Sequence, residues 1–160
     1  MNPLTDLKRI YFIGIGGIGM SALARYFNTQ GVKVSGYDKT PTALTKSLQE
    51  EGIQIHFEDD LNQMDKAATV IVYTPAIPAD HQELNYYRDN NYLVVKRSDV
   101  LQWVTENAFT IGIAGTHGKT TTTSMTAHIL RHTGYGCNAF LGGIASNYDT
   151  NFWSHEKNVV

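Results

Sequence analysis

Cysteine occurs once in this 160-residue chain, at position 137, so no disulfide can staple the fold from within. Charge of either sign is in short surplus, with 13 lysines and arginines against 15 acids and no basic cluster. The field that draws a protein to nucleic acid is therefore missing. Apolar runs extend over only a few residues, too short to span a bilayer, and the opening Met1 to Arg9 lacks the apolar stretch of a secretion signal. No internal repeat, low-complexity tract or proline-rich linker interrupts the chain. These absences lead to the expectation of a cytoplasmic protein that neither enters a membrane nor binds nucleic acid. A hydrophobic fraction of 42% is ample for a core and excludes wholesale disorder.

What is present is an alternation of strand-like and helix-like segments. Strands are expected at Arg9 to Ile13, Val32 to Tyr37, Ile53 to Phe57, Thr69 to Tyr73 and Tyr92 to Lys96. Helices are expected at Gly17 to Thr29, Thr42 to Glu51, Asp80 to Asn90 and Asp99 to Thr105, the last capped by Ser98. Such alternation implies a Rossmann-like α/β domain, a parallel sheet with helices on its faces, over residues 1–106. A second unit, 107–160, then begins with a strand Phe109 to Ala114, a helix to about His132 and a strand near Asn138 to Leu141. The segment Gly142 to Lys157 reads as a polar loop, and Asn158 to Val160 as the opening of a strand. One βαβ cannot bury its own faces, so the chain is expected to break off inside this second unit.

Two glycine clusters carry the chemistry. Gly14-Ile15-Gly16-Gly17-Ile18-Gly19 follows the first strand and opens the first helix, and Asp38 ends the second strand. That is the dinucleotide fingerprint: a tight turn, a close approach of backbone to a pyrophosphate, and an acid for ribose hydroxyls. It implies a bound diphosphate without saying which, and on its own its default ligand is NAD. The second cluster, Gly112-Ile113-Ala114-Gly115-Thr116-His117-Gly118-Lys119-Thr120-Thr121, lies at another strand-to-helix turn. Its backbone can wrap an anion, Lys119 can reach the β- and γ-phosphates of ATP, and the Thr120 hydroxyl can ligate Mg²⁺. A regular G-x-x-x-x-G-K-[ST] loop would need glycine at 113, where this chain has Ile113. A diphosphate loop followed at once by a triphosphate loop suits an enzyme that uses ATP to activate a nucleotide-bearing substrate.

With both loops in view, essentially the whole chain resembles the muramyl (Mur) ligases of peptidoglycan synthesis. The resemblance rests on Tyr11-Phe12-Ile13-Gly14-Ile15-Gly16-Gly17-Ile18-Gly19-Met20-Ser21, on Val34-Ser35-Gly36-Tyr37-Asp38, and on Ala114-Gly115-Thr116-His117-Gly118-Lys119-Thr120-Thr121-Thr122-Thr123. The irregular phosphate loop is the one that family uses. Histidine at 117 resembles the branch that adds L-alanine, and also the murein-peptide recycling branch; members that add later amino acids carry asparagine. The form of the first loop favours the L-alanine branch.

The resemblance implies three domains: one for the UDP-sugar, a central ATPase and a C-terminal amino-acid domain, of which this chain holds the first and the start of the second. It implies transfer of phosphate from ATP to the carboxylate of UDP-N-acetylmuramate, then attack by the amine of L-alanine. Gly14, Gly16, Gly17, Ile18 and Gly19 would cradle the UDP diphosphate, and Asp38 would meet the uridine. Gly115, Thr116, His117 and Gly118 would complete the ATP cradle with Lys119, Thr120 and Thr121. Lys119 and Thr120 would carry the catalysis, and Thr120 the metal. His117 is open between stacking on a substrate and capping its loop. Two segments depart from the family pattern. Thr74-Pro75-Ala76-Ile77 replaces Ser-Ser-Ala-Ile, with Thr74 and Ala76 at substrate positions, and His81-Gln82-Glu83 replaces Asn-Pro-Glu. A Gly-His pair after the third strand is also absent, with Glu58-Asp59 in its place and His56 nearby.

Among lesser candidates, Thr122 and Thr123 read as helix-start residues and Tyr86 and Tyr87 as packing. Histidines 128, 132 and 155 lack metal-ligand spacing, and Cys137 has no catalytic partner. Arg97 is open between lining a ligand crevice and an ordinary surface role. Two rivals remain at this stage: an NAD(P)-dependent oxidoreductase, which leaves the Lys119 loop unexplained, and a nucleotide-sensing module without turnover.

Overall fold

A computed structural model describes residues 3–106, 108–156 and 159–160. Arg9–Ile13 (β1) is the keel of the molecule: Ile10, Tyr11, Phe12 and Ile13 are wholly buried. A continuous apolar run of this kind is what a parallel strand covered on both faces requires. Around it the chain forms Ile18–Thr29 (α1), Lys33–Tyr37 (β2), Ala43–Glu50 (α2), Gln54–His56 (β3), Val70–Tyr73 (β4), Gln82–Asp89 (α3), Leu93–Lys96 (β5) and Arg97–Glu106 (α4). The five strands pair in parallel in the order β3-β2-β1-β4-β5. Ile10 and Phe12 face one core cluster with Leu23, Phe27 and Val100, while Tyr11 and Ile13 face another with Leu84 and Tyr87. Tyr87 thus packs as the sequence implied.

The strand order reverses between β1 and β4, which opens a crevice beyond the carboxyl ends of those strands. The backbone is drawn tight there. A Cβ on Gly36 would lie 2.4 Å from the Phe12 carbonyl oxygen, so only glycine fits beside β1. Helix α2 is closed by a reciprocal cap, with Thr45 N–H donating to the Thr42 side chain and Thr42 N–H to the Thr45 hydroxyl. Ser98 does not cap α4 as expected. The helix starts at Arg97, straight out of β5, and Asp99 Oδ2 accepts from the Lys96 N–H at 3.1 Å instead.

The remainder is Lys119–His132 (α5) and an antiparallel hairpin, Ala139–Ala145 (β6) with Thr150–Trp153 (β7). The hairpin corrects the expectation of a polar loop from Gly142 onward; Lys157 and Asn158 lie outside the described residues. Its cause is burial: Phe152 and Trp153 are 5% and 6% exposed and Asn151 is fully buried. Phe140, Phe152 and Tyr26 of α1 form an aromatic trio with ring centroids 5.1–6.0 Å apart. The strand expected over Phe109 to Ala114 is shorter too. It reduces to a parallel bridge between Phe109 and Val159, flanked by Ile111 N–H donating to the Val160 carbonyl at 2.8 Å. Strand geometry needs a continuous partner, and here the partner is Val159 and Val160. Among the described residues no helix is long and apolar enough to cross a membrane.

Candidate functional site

The first glycine loop is held from inside. Gly14 and Ile15 N–H both donate to the Tyr37 carbonyl, at 2.8 and 3.0 Å, and Gly17 N–H donates to the Gly14 carbonyl at 3.2 Å. Gly16 N–H donates to Asp38 Oδ2 at 2.7 Å, and the other Asp38 oxygen accepts from Thr40 N–H at 3.0 Å. The amides of Gly14, Gly16 and Gly17 are therefore engaged within the protein, and Asp38 serves as a latch on the loop. Gly17 is the N-cap of α1 and supplies no side-chain cap. The Ile18 and Gly19 N–H groups behind it meet no acceptor among the described residues. Two uncapped amides at the positive end of a helix dipole form an anion seat. Of the sequence-derived set, Ile18 and Gly19 thus stand where donors are available, and the other glycines shape the turn.

Two further groups border this seat. The Arg97 guanidinium lies against Gly19, 3.1 Å from where a Cβ would be, which places a cation at the helix N-terminus. Arg97 accordingly belongs to the crevice. The turn after β4, closed by Ile77 N–H donating to the Thr74 carbonyl at 3.1 Å, lays Ile77 on Gly14. Thr74 is half-buried at that edge and Ala76 is exposed. Asp38→Ala removes the acceptor of two backbone amides and is expected to cost about 1–2 kcal/mol, read as a shift of the urea midpoint at unchanged slope.

The second loop is more open. Gly115 and Gly118 take positive φ, 150° and 74°, and Gly118 is the left-handed N-cap of α5. The N–H groups of Lys119, Thr120 and Thr121 meet no acceptor among the described residues. Lys119 Nζ folds over the loop, donating to the Gly115 carbonyl at 2.6 Å and the Thr116 carbonyl at 3.2 Å. Gly142 of β6 makes room for the Thr120 hydroxyl: a Cβ there would stand 2.9 Å from Oγ1. Thr116 and His117 are exposed on the loop. Three uncapped amides, an exposed ammonium and a threonine hydroxyl fit a magnesium-bound polyphosphate.

Behind β1 lies a polar cluster that the sequence reading missed. Glu83 is fully buried, its Oε2 accepting from the Tyr11 hydroxyl at 2.6 Å and its Oε1 from Asp60 N–H at 3.2 Å. His56 Nε2 is 2.6 Å from the Tyr11 hydroxyl and 3.5 Å from Glu83 Oε1. Burial pushes the Glu83 carboxyl up to about 7 and holds the His56 imidazole below its usual value. Although the spacing is that of an ion pair, both groups favour their neutral forms, so the cluster is a hydrogen-bonded set. Asp59 ties it to α3 by accepting from the Gln82 and Glu83 N–H groups at 2.8 and 3.0 Å.

Comparison with known proteins matches this architecture. The family model described as "Mur ligase family, catalytic domain" matches residues 9–108. The chain belongs to the Mur ligase family. Among curated Mur ligases, the UDP-N-acetylmuramate–L-alanine ligase of Porphyromonas gingivalis (strain W83) is 54% identical over 94% of this chain and 34% of its own length. The enzyme of that name from Cytophaga hutchinsonii is 55% identical over 92% of the chain and 33% of its own length. The chain thus spans about a third of the length of the curated Mur ligases it matches. Among solved structures, UDP-N-acetylmuramate–alanine ligase MurC of Thermotoga maritima superposes with a TM-score of 0.85 at 33% identity, over 96% of this chain and 36% of that one. The UDP-N-acetylmuramate:L-alanyl-gamma-D-glutamyl-meso-diaminopimelate ligase (MPL) of Neisseria meningitidis reaches 0.82 at 27%, over 96% of this chain and 51% of that one. The Mur ligase fold therefore holds for almost the whole chain.

Proposed function

We propose that this chain is the substrate-binding part of an ATP-dependent UDP-N-acetylmuramate–L-alanine ligase acting in the cytoplasm in peptidoglycan synthesis. The observation that carries the reading is the pairing of two uncapped helix N-termini, at Ile18–Gly19 and at Lys119–Thr121, each behind a glycine turn. Residues 1–106 form the UDP-sugar domain and 107–160 the start of the ATP domain. Ile18 and Gly19 donate to the UDP diphosphate and Arg97 offsets its charge. Asp38 acts at one remove, keeping the loop shaped beside the uridine end. Thr74 and Ala76 edge the sugar nucleotide.

On the second loop, Lys119 exchanges its two carbonyl acceptors for phosphate oxygens, and Gly115 to Thr121 wrap the chain around them. Thr120 offers its hydroxyl to Mg²⁺. Bound Mg-ATP would supply the phosphoryl group that activates the lactyl carboxylate for attack by the L-alanine amine. The protein's share is positioning and charge neutralisation.

The test is phosphate release measured on this chain alone and on the ligase extended to its relatives' length. The extended protein should release phosphate only when UDP-N-acetylmuramate, L-alanine and ATP are all present, and the 160-residue chain should not turn over. Release that is independent of either substrate, or restored by another amino acid in place of L-alanine, would reject the assignment.

A further inference from the structure

Asn151 is fully buried on β7, yet its bonds reach into the first glycine loop. Its Nδ2 donates to the Ile18 carbonyl at 2.7 Å and to the Ser21 hydroxyl at 2.8 Å. Its Oδ1 accepts from Arg25 Nη1. Arg25, itself 6% exposed, is fixed in turn by Glu51, at 2.6 Å from Nη2 and 2.9 Å from Nε, and by the Ser47 hydroxyl at 3.0 Å. Both polar atoms of the Asn151 amide are satisfied, which makes this a rigid connection.

The Ile18 carbonyl and the Gly19 N–H belong to one planar peptide unit. A donor on the carbonyl side therefore fixes the direction in which the Gly19 N–H points, and polarises it toward an anion. On its other strand the hairpin touches the start of α5, where Gly142 and Gly143 of β6 lie against the Thr120 side chain. Phe140 pairs with Phe152 and Ala145 with Thr150, and the register shifts between them, so that contact and Asn151 share the irregular stretch held between the two pairs. We propose that Asn151 is a positioning residue for the diphosphate seat: it aims the Gly19 amide and makes the two phosphate loops respond to each other. This rests on the ligase reading above and adds to it a route between the two ligands.

The experiment combines calorimetry and amide hydrogen exchange on the 160-residue chain, with UDP-N-acetylmuramate as the probe. In the wild type, saturation should slow exchange at residues 17–21 and also at 118–122, by on the order of fivefold at the remote loop. Asn151→Asp keeps the acceptor for Arg25 but removes both donors. It should weaken binding about tenfold, the worth of one hydrogen bond, and abolish the remote slowing. Tyr26→Leu strips aromatic packing from the same hairpin while leaving the Asn151 bonds, and should keep wild-type affinity. Wild-type affinity in Asn151→Asp, or an equal loss in Tyr26→Leu, would overturn the inference and leave the ligase reading standing. Absence of binding in the wild type would reject both, and shows before any variant is compared.

Discussion

Lys119→Ala lowers kcat of the whole ligase by on the order of 10³-fold, the scale on which single groups that neutralise developing charge contribute. The reason lies in the geometry of the second loop. Lys119 is exposed, and its ammonium is held only by the Gly115 and Thr116 carbonyls, 2.6 and 3.2 Å away. Exchanging those contacts for phosphate oxygens is cheap, so the side chain is poised to follow charge as it forms. A group that acts mainly on forming charge is lost from kcat more than from KM. Stability should hardly change, by about 0.5 kcal/mol or less, because no buried contact is removed. Steady-state kinetics with ATP as the varied substrate, alongside thermal unfolding of the same variant, checks both halves. A loss below tenfold in kcat would remove Lys119 from the phosphate role.

Glu83→Gln removes a fall of stability with rising pH. Burial raises the wild-type Glu83 carboxyl to about 7, against an ordinary value near 4.5. The folded state therefore holds a proton that the unfolded state releases. The contribution of Glu83 to stability is fully present below pH 4.5, falls as pH rises toward 7, and levels off above it, having lost about 3 kcal/mol in all. His56 and His81 are held below their usual values by burial, so their contributions run the other way and rise with pH. Both histidines remain in the variant, so the difference between wild type and Glu83→Gln isolates the carboxyl. A glutamine can keep the bond from Asp60 N–H and donate to the Tyr11 hydroxyl, which then donates to His56. Urea unfolding at intervals from pH 4.5 to 8 should show the stability gap shifting steadily in the variant's favour. Parallel curves would mean that Glu83 stays charged across that range.

The sheet and both glycine turns are legible in the sequence because they are written locally. Apolar runs at Ile10–Ile13 and Val70–Val72 announce buried strands, and glycines after a strand announce a tight turn into a helix. What stayed hidden depends on partners far away in sequence. The segment reads as a polar loop because Thr150 and Asn151 are polar; the burial of Asn151 follows from α1, more than a hundred residues earlier, as the separation of 133 between Asn151 and Ile18 shows. Asp38 was expected at the uridine end, and nothing in its spacing reveals that its carboxylate closes on Gly16. The Tyr11–Glu83–His56 cluster joins β1, α3 and β3, and no pattern within any one of them signals it.

Calorimetric titration of the chain with UDP-N-acetylmuramate, set against NAD⁺ and NADP⁺, decides which diphosphate the first glycine loop takes. Binding of the UDP-sugar alone is expected, with a stabilisation of about 2.7 kcal/mol at a hundred times its Kd. Binding of a nicotinamide cofactor with no response to the UDP-sugar would contradict this expectation.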